Sequence, residues 1–400
     1  MRKVAAIAKE PLNLSEEDQE DLRLAGLLHD IGHYPYSHLM EKIDKVELAE
    51  EFVEGAKTID VSAQPYPKHE DIGELIVTSQ KDLIKALGGR GPAERIARLF
   101  RGTPVDRGHL TSLIHSSLDM DRLDYLLRDA HAAGVPYGQI DLNYLLNNLC
   151  TSPSGIIAIS EKALPAAEQY LLARFFMYRT VYYHKTTFGL EEACRQLLRR
   201  ARDSGKFGIA SDGDALRRIV TSSKLWDFTD AYVDAIVNRA ARSRRDPVIR
   251  ALAKAIRNRR PPQLLKEVSV FEDNIKEHHA GVTFRSNCRH QLKALARRCH
   301  VPLGQFLFCV TPPLMLEQRG SRLTEAQARR LKAEEKEELI KIWREGAEEP
   351  ESIVNIEHSL LSVCSNHFFQ TFRLYVVYEG SDEDEVVEGL REAVSDWDQS

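Results

Sequence analysis

Residues 29–38 read His29-Asp30-Ile31-Gly32-His33-Tyr34-Pro35-Tyr36-Ser37-His38. Three histidines and an aspartate crowd around a glycine and two-residue-spaced aromatic and proline positions. Upstream, Leu24, Leu27, Leu28 and Ile31 fall at i, i+3, i+4 and i+7, which predicts one stripe of a helix. Ser15 and the acids after it predict the helix start, because a serine hydroxyl accepts an orphan N–H and carboxylates suit the positive end. Gly32 and Pro35 predict its end just after His29-Asp30. Adjacent imidazole and carboxylate groups at a helix terminus can both reach one cation, and that donor mixture suits a first-row divalent metal.

Working outward, a second motif is Leu118-Asp119-Met120-Asp121-Arg122-Leu123-Asp124-Tyr125-Leu126-Leu127-Arg128-Asp129. Asp121, Tyr125 and Asp129 recur every four residues and share a helix face. Taken alone, this is a solvated polar stripe. A third set is Arg174, Tyr178, Tyr182 and Lys185, at i, i+4, i+8 and i+11 of a helix predicted from about 162 to 202. A guanidinium, phenols and an ammonium on one face can grip phosphate oxygens and pack a sugar or base; a core helix with snorkelling side chains fits the same pattern. A fourth is His69-Glu70, opening a helix predicted to run to about residue 87. An imidazole beside a carboxylate can shuttle protons, although such pairs are common on surfaces. A further helix is expected over about 106–131. Strands are expected near 156–160, 305–310, 352–356 and 372–378, with a charged helix over about 324–345.

Together, the runs His-Asp-Ile-Gly-His-x-Pro-Tyr-Ser-His at 29–38, Asp-x-Asp-Arg-x-Asp-Tyr-x-x-Arg-Asp at 119–129 and Tyr-x-His-Lys at 182–185 resemble the HD-domain metal-dependent phosphohydrolases. Within them the chain is most similar to the dGTP and dNTP triphosphohydrolases. The resemblance spans residues 20 to about 190 and implies an HD-domain helical bundle, with residues 1–204 as the phosphohydrolase core. The texture changes near 205, and the alternation of strand-like and helical runs beyond it reads as a helical, then α+β, C-terminal region over 205–400, giving a mainly α fold with a smaller α+β part. The resemblance also implies His29, Asp30 and Asp121 as ligands of a divalent metal, with Mn, Fe, Mg, Co or Ni all suited to such donors. His33, His69 and Glu70 would transfer protons. His38, Arg122, Tyr125, Asp129, Arg174, Tyr182 and Lys185 would contact the nucleotide; Tyr178 stands where some relatives have histidine. The implied reaction is attack at the α-phosphate, giving deoxynucleoside and inorganic triphosphate. The family's ligand set begins with a further histidine, and none occurs before His29. The expectation is a histidine-bearing helix upstream of Met1, whose tail is MRKVAAIAKE.

Composition bounds the alternatives. In 400 residues, 43% are hydrophobic and 29% charged, which excludes collagen-like, mucin-like or wholly disordered chains. Net charge is −5, so no global field recruits nucleic acid or membrane, and no apolar run approaches the roughly 18 residues of a membrane helix. Six scattered cysteines without CxxC spacing fit a reducing cytosol. Arg239 to Lys266 carries ten basic residues against Asp246 alone; it reads as a solvated face with few aromatics for base stacking. A regulatory nucleotide held between subunits through Arg244, Arg245 or Arg259 is implied only by relatives, as is a homo-oligomer. Competing functions are a phosphodiesterase or nucleotidase on the same fold, and a non-catalytic nucleotide-binding protein.

Overall fold

The structure, a computed structural model, describes residues 12, 14–44, 65–100, 108–114, 116, 118–272, 279–316, 340–364 and 367–399. The expected helix at 324–345 and the MRKVAAIAKE segment lie outside these, except that 341–343 form a strand. The fold is mainly α with a small α+β portion toward the C-terminus. The chain divides into two compact units, one of residues 1–32, 73–181 and 314–368, the other of 33–72, 182–313 and 369–400.

In the first unit, the Glu16–Leu28 helix starts as expected. Ser15 Oγ accepts the Asp18 N–H, and Asp18 accepts the Ser15 N–H at 2.9 Å, a reciprocal capping box. The buried stripe is rotated from the expected one. Leu22, Ala25 and Leu28 face inward, whereas Leu27 is 75% exposed. The reason is Asp21, which is buried yet paired. Arg95 of the Arg90–Phe100 helix forks onto it at 2.9 and 3.1 Å, so the inward face includes a charged position that periodicity scores as outward.

The helix expected over 106–131 is two: Gly108–Thr111 and Met120–Ala133. Asp119 Oδ1 accepts the Arg122 N–H at 2.7 Å, so the aspartate caps a new helix instead of lying inside an old one. Gly134, at φ 67°, closes that helix. The predicted 69–87 helix breaks at Gln80 into His69–Ser79 and Lys81–Ala86. Short strands Leu149–Thr151, Ile157–Ser160, Lys341–Trp343 and Glu351–Ser352 form one sheet in that order. Leu149 pairs antiparallel with Ile159, and Ile159 parallel with Ile342.

In the second unit, the Lys185–Asp203 helix packs on Pro247–Arg257. Strand Phe368–Val376 is the centre of a sheet, flanked by Gln263–Glu272 and Phe306–Val310. It is buried along its whole length, and its polar positions are satisfied: Gln370 Nε2 donates to the Thr311 carbonyl, and Thr311 Oγ1 accepts the Thr371 N–H, both at 2.9 Å. Its one charge, Arg373, is neutralised by Glu267 at 2.6 Å and donates to the Tyr183 carbonyl at 2.7 Å.

Gly189 stands inside the continuous Lys185–Asp203 helix for a reason of space. A Cβ there would lie 3.0 Å from Tyr375 Cε1, and the Tyr375 hydroxyl is tied to the Lys185 carbonyl at 2.8 Å. Gly189→Val is therefore expected to destabilise the protein by about 2 kcal/mol through overpacking. Urea unfolding checks this; an unmoved midpoint would mean that the ring yields.

Candidate functional site

His29 caps the C-terminus of the Glu16–Leu28 helix. Its Nδ1–H donates to the Gly26 carbonyl at 3.0 Å, which fixes the tautomer and leaves the Nε2 lone pair outward. That atom is buried and has no hydrogen-bond partner. It faces Asp30 Oδ1 at 3.1 Å and Asp121 Oδ1 at 3.8 Å. Burial of the ring opposes its charged form, but the Asp121 and Asp30 carboxylates outweigh it and raise the His29 pKa above the usual histidine range. The imidazole nitrogen and the two carboxylates bring their ligand atoms within 4.8 Å of one another, a concentration of negative charge that a proton on Nε2 or a bound cation relieves. The donor set therefore fits a divalent metal: one imidazole and two carboxylates, joined by the end of one helix and the first turn of another.

Asp121, Tyr125 and Asp129 do share one face of the Met120–Ala133 helix. Beside the carboxylates is a basic and phenolic group in the same unit. The Tyr125 hydroxyl meets the Tyr178 hydroxyl at 3.3 Å, and burial first, then Tyr178, pushes the Tyr125 phenol far up. Arg174 is 4% exposed, with its Cζ 5.2 Å from the Tyr178 ring centre and its Nε without a hydrogen-bond partner. Arg122 is held by Asp119 at 3.1 Å and by the Ser116 carbonyl. Burial lifts the Asp119 carboxyl to about 6, against the pull of Arg122.

The single long helix expected to align Arg174, Tyr178, Tyr182 and Lys185 does not exist. Leu164–Met177 is followed by a π turn, Tyr178–Tyr182, and a new helix starts at Lys185. A π turn shifts residue phase, so the i+8 and i+11 arithmetic fails beyond Tyr178. Tyr182 and Lys185 belong to the second unit, where Lys185 is exposed.

The second unit also holds the histidines. His33, His38 and His69 have ring centres 4.4 to 5.0 Å apart. Glu41, absent from the sequence reading, ties two of them: Oε2 meets His38 Nδ1 at 2.8 Å, and Oε1 meets His69 Nδ1 at 3.4 Å and accepts the His69 N–H at 3.2 Å. Its signal was the His38-x-x-Glu41 spacing, one turn of helix. Glu70 Oε2 lies 3.3 Å from His69 Nδ1. Tyr34 locks the loop carrying His69, donating to the Pro67 carbonyl at 2.6 Å.

Glu41 is 12% exposed; burial opposes its charge, but hydrogen bonds from His38 and His69 prevail and hold its carboxyl well below the usual range. The stability this supplies is full above the ordinary value near 4.5 and is lost as pH falls through the depressed folded value. Glu41→Gln is expected to flatten the acid limb of a stability-versus-pH curve below about pH 4.5. Chemical denaturation at stepped pH measures it, and parallel curves would show that the carboxylate is not so held.

Residues 1–129 match the HD domain, and residues 140–308 match the HD-associated region. The chain carries an HD domain followed by an HD-associated region. It is similar to the uncharacterized protein YwfO of Bacillus subtilis, 31% identical over 47% of this chain and 38% of that protein. It is also similar to the Dictyostelium discoideum homolog of deoxynucleoside triphosphate triphosphohydrolase SAMHD1, 24% identical over 68% of this chain and 49% of that one. The chain spans less than half the length of these curated relatives. In fold it resembles a phosphohydrolase from Bacteroides thetaiotaomicron (TM-score 0.60, 20% identity, 94% of this chain and 85% of that one). A hypothetical protein from Aquifex aeolicus is similar too (TM-score 0.63, 21% identity, 98% and 84%). No helix among the described residues is long and apolar enough to cross a membrane.

Proposed function

We propose that this HD protein hydrolyses deoxynucleoside triphosphates to deoxynucleoside and inorganic triphosphate, with a divalent metal held by His29, Asp30 and Asp121. The observation that carries the reading is the presence, in one compact unit, of a histidine Nε2 facing two carboxylates and a buried guanidinium whose Nε has no hydrogen-bond partner. When bound, the metal polarises a phosphoryl oxygen and acidifies water.

The residues of the chain do the rest. Arg174 supplies a desolvated positive charge, which a polyphosphate matches better than a monophosphate does. Arg122 is held rigidly by Asp119 and the Ser116 carbonyl and is assigned to phosphate contact. Tyr125 and Tyr178 offer ring edges and neutral hydroxyls suited to a sugar, with Asp129 farther along the helix. Tyr182 and Lys185 are assigned to the triphosphate by motif order. Proton transfer to the leaving 5′ oxygen is assigned to His33, His69 and Glu70, with His38 lining the nucleotide. Glu41 supports the assignment by fixing the Nδ1 atoms of His38 and His69, which leaves Nε2 as their exchanging atom. A homo-oligomer and a regulatory nucleotide near Arg244, Arg245 or Arg259 belong to the same reading.

The test is to incubate the Mn-loaded protein with each dNTP and separate the products. Inorganic triphosphate is the expected product. Orthophosphate or a monophosphate would replace this reading with a nucleotidase or phosphodiesterase, and absence of turnover with a binding protein.

A further inference from the structure

Tyr36 and Ser37 both have positive φ, 58° and 55°, with no glycine to relieve the strain. Ser37 pairs that φ with a ψ of −135°, a region L residues rarely occupy. The turn places Ser37 Oγ 2.7 Å from His33 Nδ1 and launches the short helix that carries His38 and Glu41. A strained turn persists only when its surroundings over-determine it. Inside the turn, the Ser37 N–H donates to the Tyr34 carbonyl at 2.7 Å. Further restraints come from 194 and 198 residues downstream. On the Asp230–Ala240 helix, Asp230 Oδ1 accepts the Tyr36 N–H at 2.8 Å. One turn later, Asp234 Oδ1 accepts the Tyr36 hydroxyl at 2.6 Å. Tyr36 is thus held at its main chain and at its tip by two carboxylates spaced to match it. The helix lies within the HD-associated region, so that region reaches back to the HD motif.

We propose that Asp230 and Asp234 form a positioning clamp: by gripping Tyr36 they hold Ser37 in its strained geometry, and through Ser37 they set the orientation of the His33 and His38 imidazoles. This deepens the phosphohydrolase reading, on which its effect on turnover rests. Both aspartates act through Tyr36, so both are positioning residues.

The test uses the full chain labelled with ¹⁵N-histidine. Imidazole nitrogens are followed by long-range ¹H–¹⁵N spectra, with His33→Gln and His38→Gln assigning the resonances. The variants are Tyr36→Phe, Asp234→Ala, the double variant and Asp234→Asn, which keeps an oxygen acceptor. Both single variants are expected to move the His33 and His38 resonances and leave His290 in place. The double variant should match either single one, and Asp234→Asn should lie close to wild type. In the Mn-loaded protein, kcat on dNTP should fall about tenfold in the same variants, as expected for misplaced groups, with KM and bound metal unchanged. Unmoved His33 and His38 resonances in Asp234→Ala would overturn the clamp, as would displacement of every histidine at once. If the wild-type protein turns over no dNTP, the functional reading falls, while the imidazole spectra still decide the clamp.

Discussion

Asp121→Ala is expected to strip the protein of its divalent metal and to lower phosphohydrolase turnover on the order of 10³-fold. The size follows from what the carboxylate does. Changing a residue that merely orients a ligand costs about 10- to 100-fold in metal affinity or activity; losing a ligand from a set of three costs more. Asp121 is the one candidate ligand contributed from outside the His29-Asp30 pair, so its loss leaves two donors from adjacent residues, a poor chelate. The fold should survive. The Asp121 side chain is 39% exposed, and the helix is anchored by Met120, Leu123 and Leu126 and by the Asp119 cap. Asp124→Ala, three residues along the same helix and exposed, is the matched control and should retain both metal and turnover. Elemental analysis after dialysis against Mn, read beside initial rates, checks the pair. Full metal content with normal rates in Asp121→Ala would remove the metal assignment altogether.

How far the sequence alone leads is best seen at particular residues. The helix end that carries His29 and Asp30 and the helix face that carries Asp121 were legible because each depends on local features, Ser15 with Gly32 and a four-residue spacing; joining the three as one ligand set came from the family resemblance. The face beyond Tyr178 was not legible, because a π turn leaves no mark in hydrophobic periodicity; Thr180 and Val181 merely weaken a helix that tertiary packing then bends. Glu41 and the Asp230–Asp234 pair were missed for different reasons. Glu41 sits one turn after His38 and was readable in principle, but a single carboxylate near a histidine carries little weight by itself. Asp230 and Asp234 act on a residue far upstream, and no local pattern encodes that pairing. The buried Leu22–Ala25–Leu28 stripe shows a related limit. Periodicity ranks a helix face by side-chain type, and a salt bridge from Arg95 to Asp21 turned a charged position inward.

Arg174→Met is expected to act in opposite directions on the free and the ligand-bound protein. Arg174 is nearly sealed from water, yet no carboxylate pairs with it among the described residues; its compensation is the face of the Tyr178 ring. Such a charge is costly in the absence of an anion. Methionine keeps most of the unbranched volume and discards the charge, so the ligand-free variant should gain about 1–3 kcal/mol, seen as a Tm higher by a few degrees. Ligand reverses the sign. Wild-type Tm should rise with dGTP or inorganic triphosphate, because binding to the folded state stabilises it in proportion to the logarithm of ligand over Kd. In the variant that rise should shrink sharply, with affinity lower by about 100-fold, since the phosphate would lose the desolvated counter-charge that Arg174 supplies. A structural arginine predicts the reverse on both counts: a lower Tm without ligand, and an undiminished shift with it. The two curves therefore separate a guanidinium held ready for polyphosphate from one that supports the core.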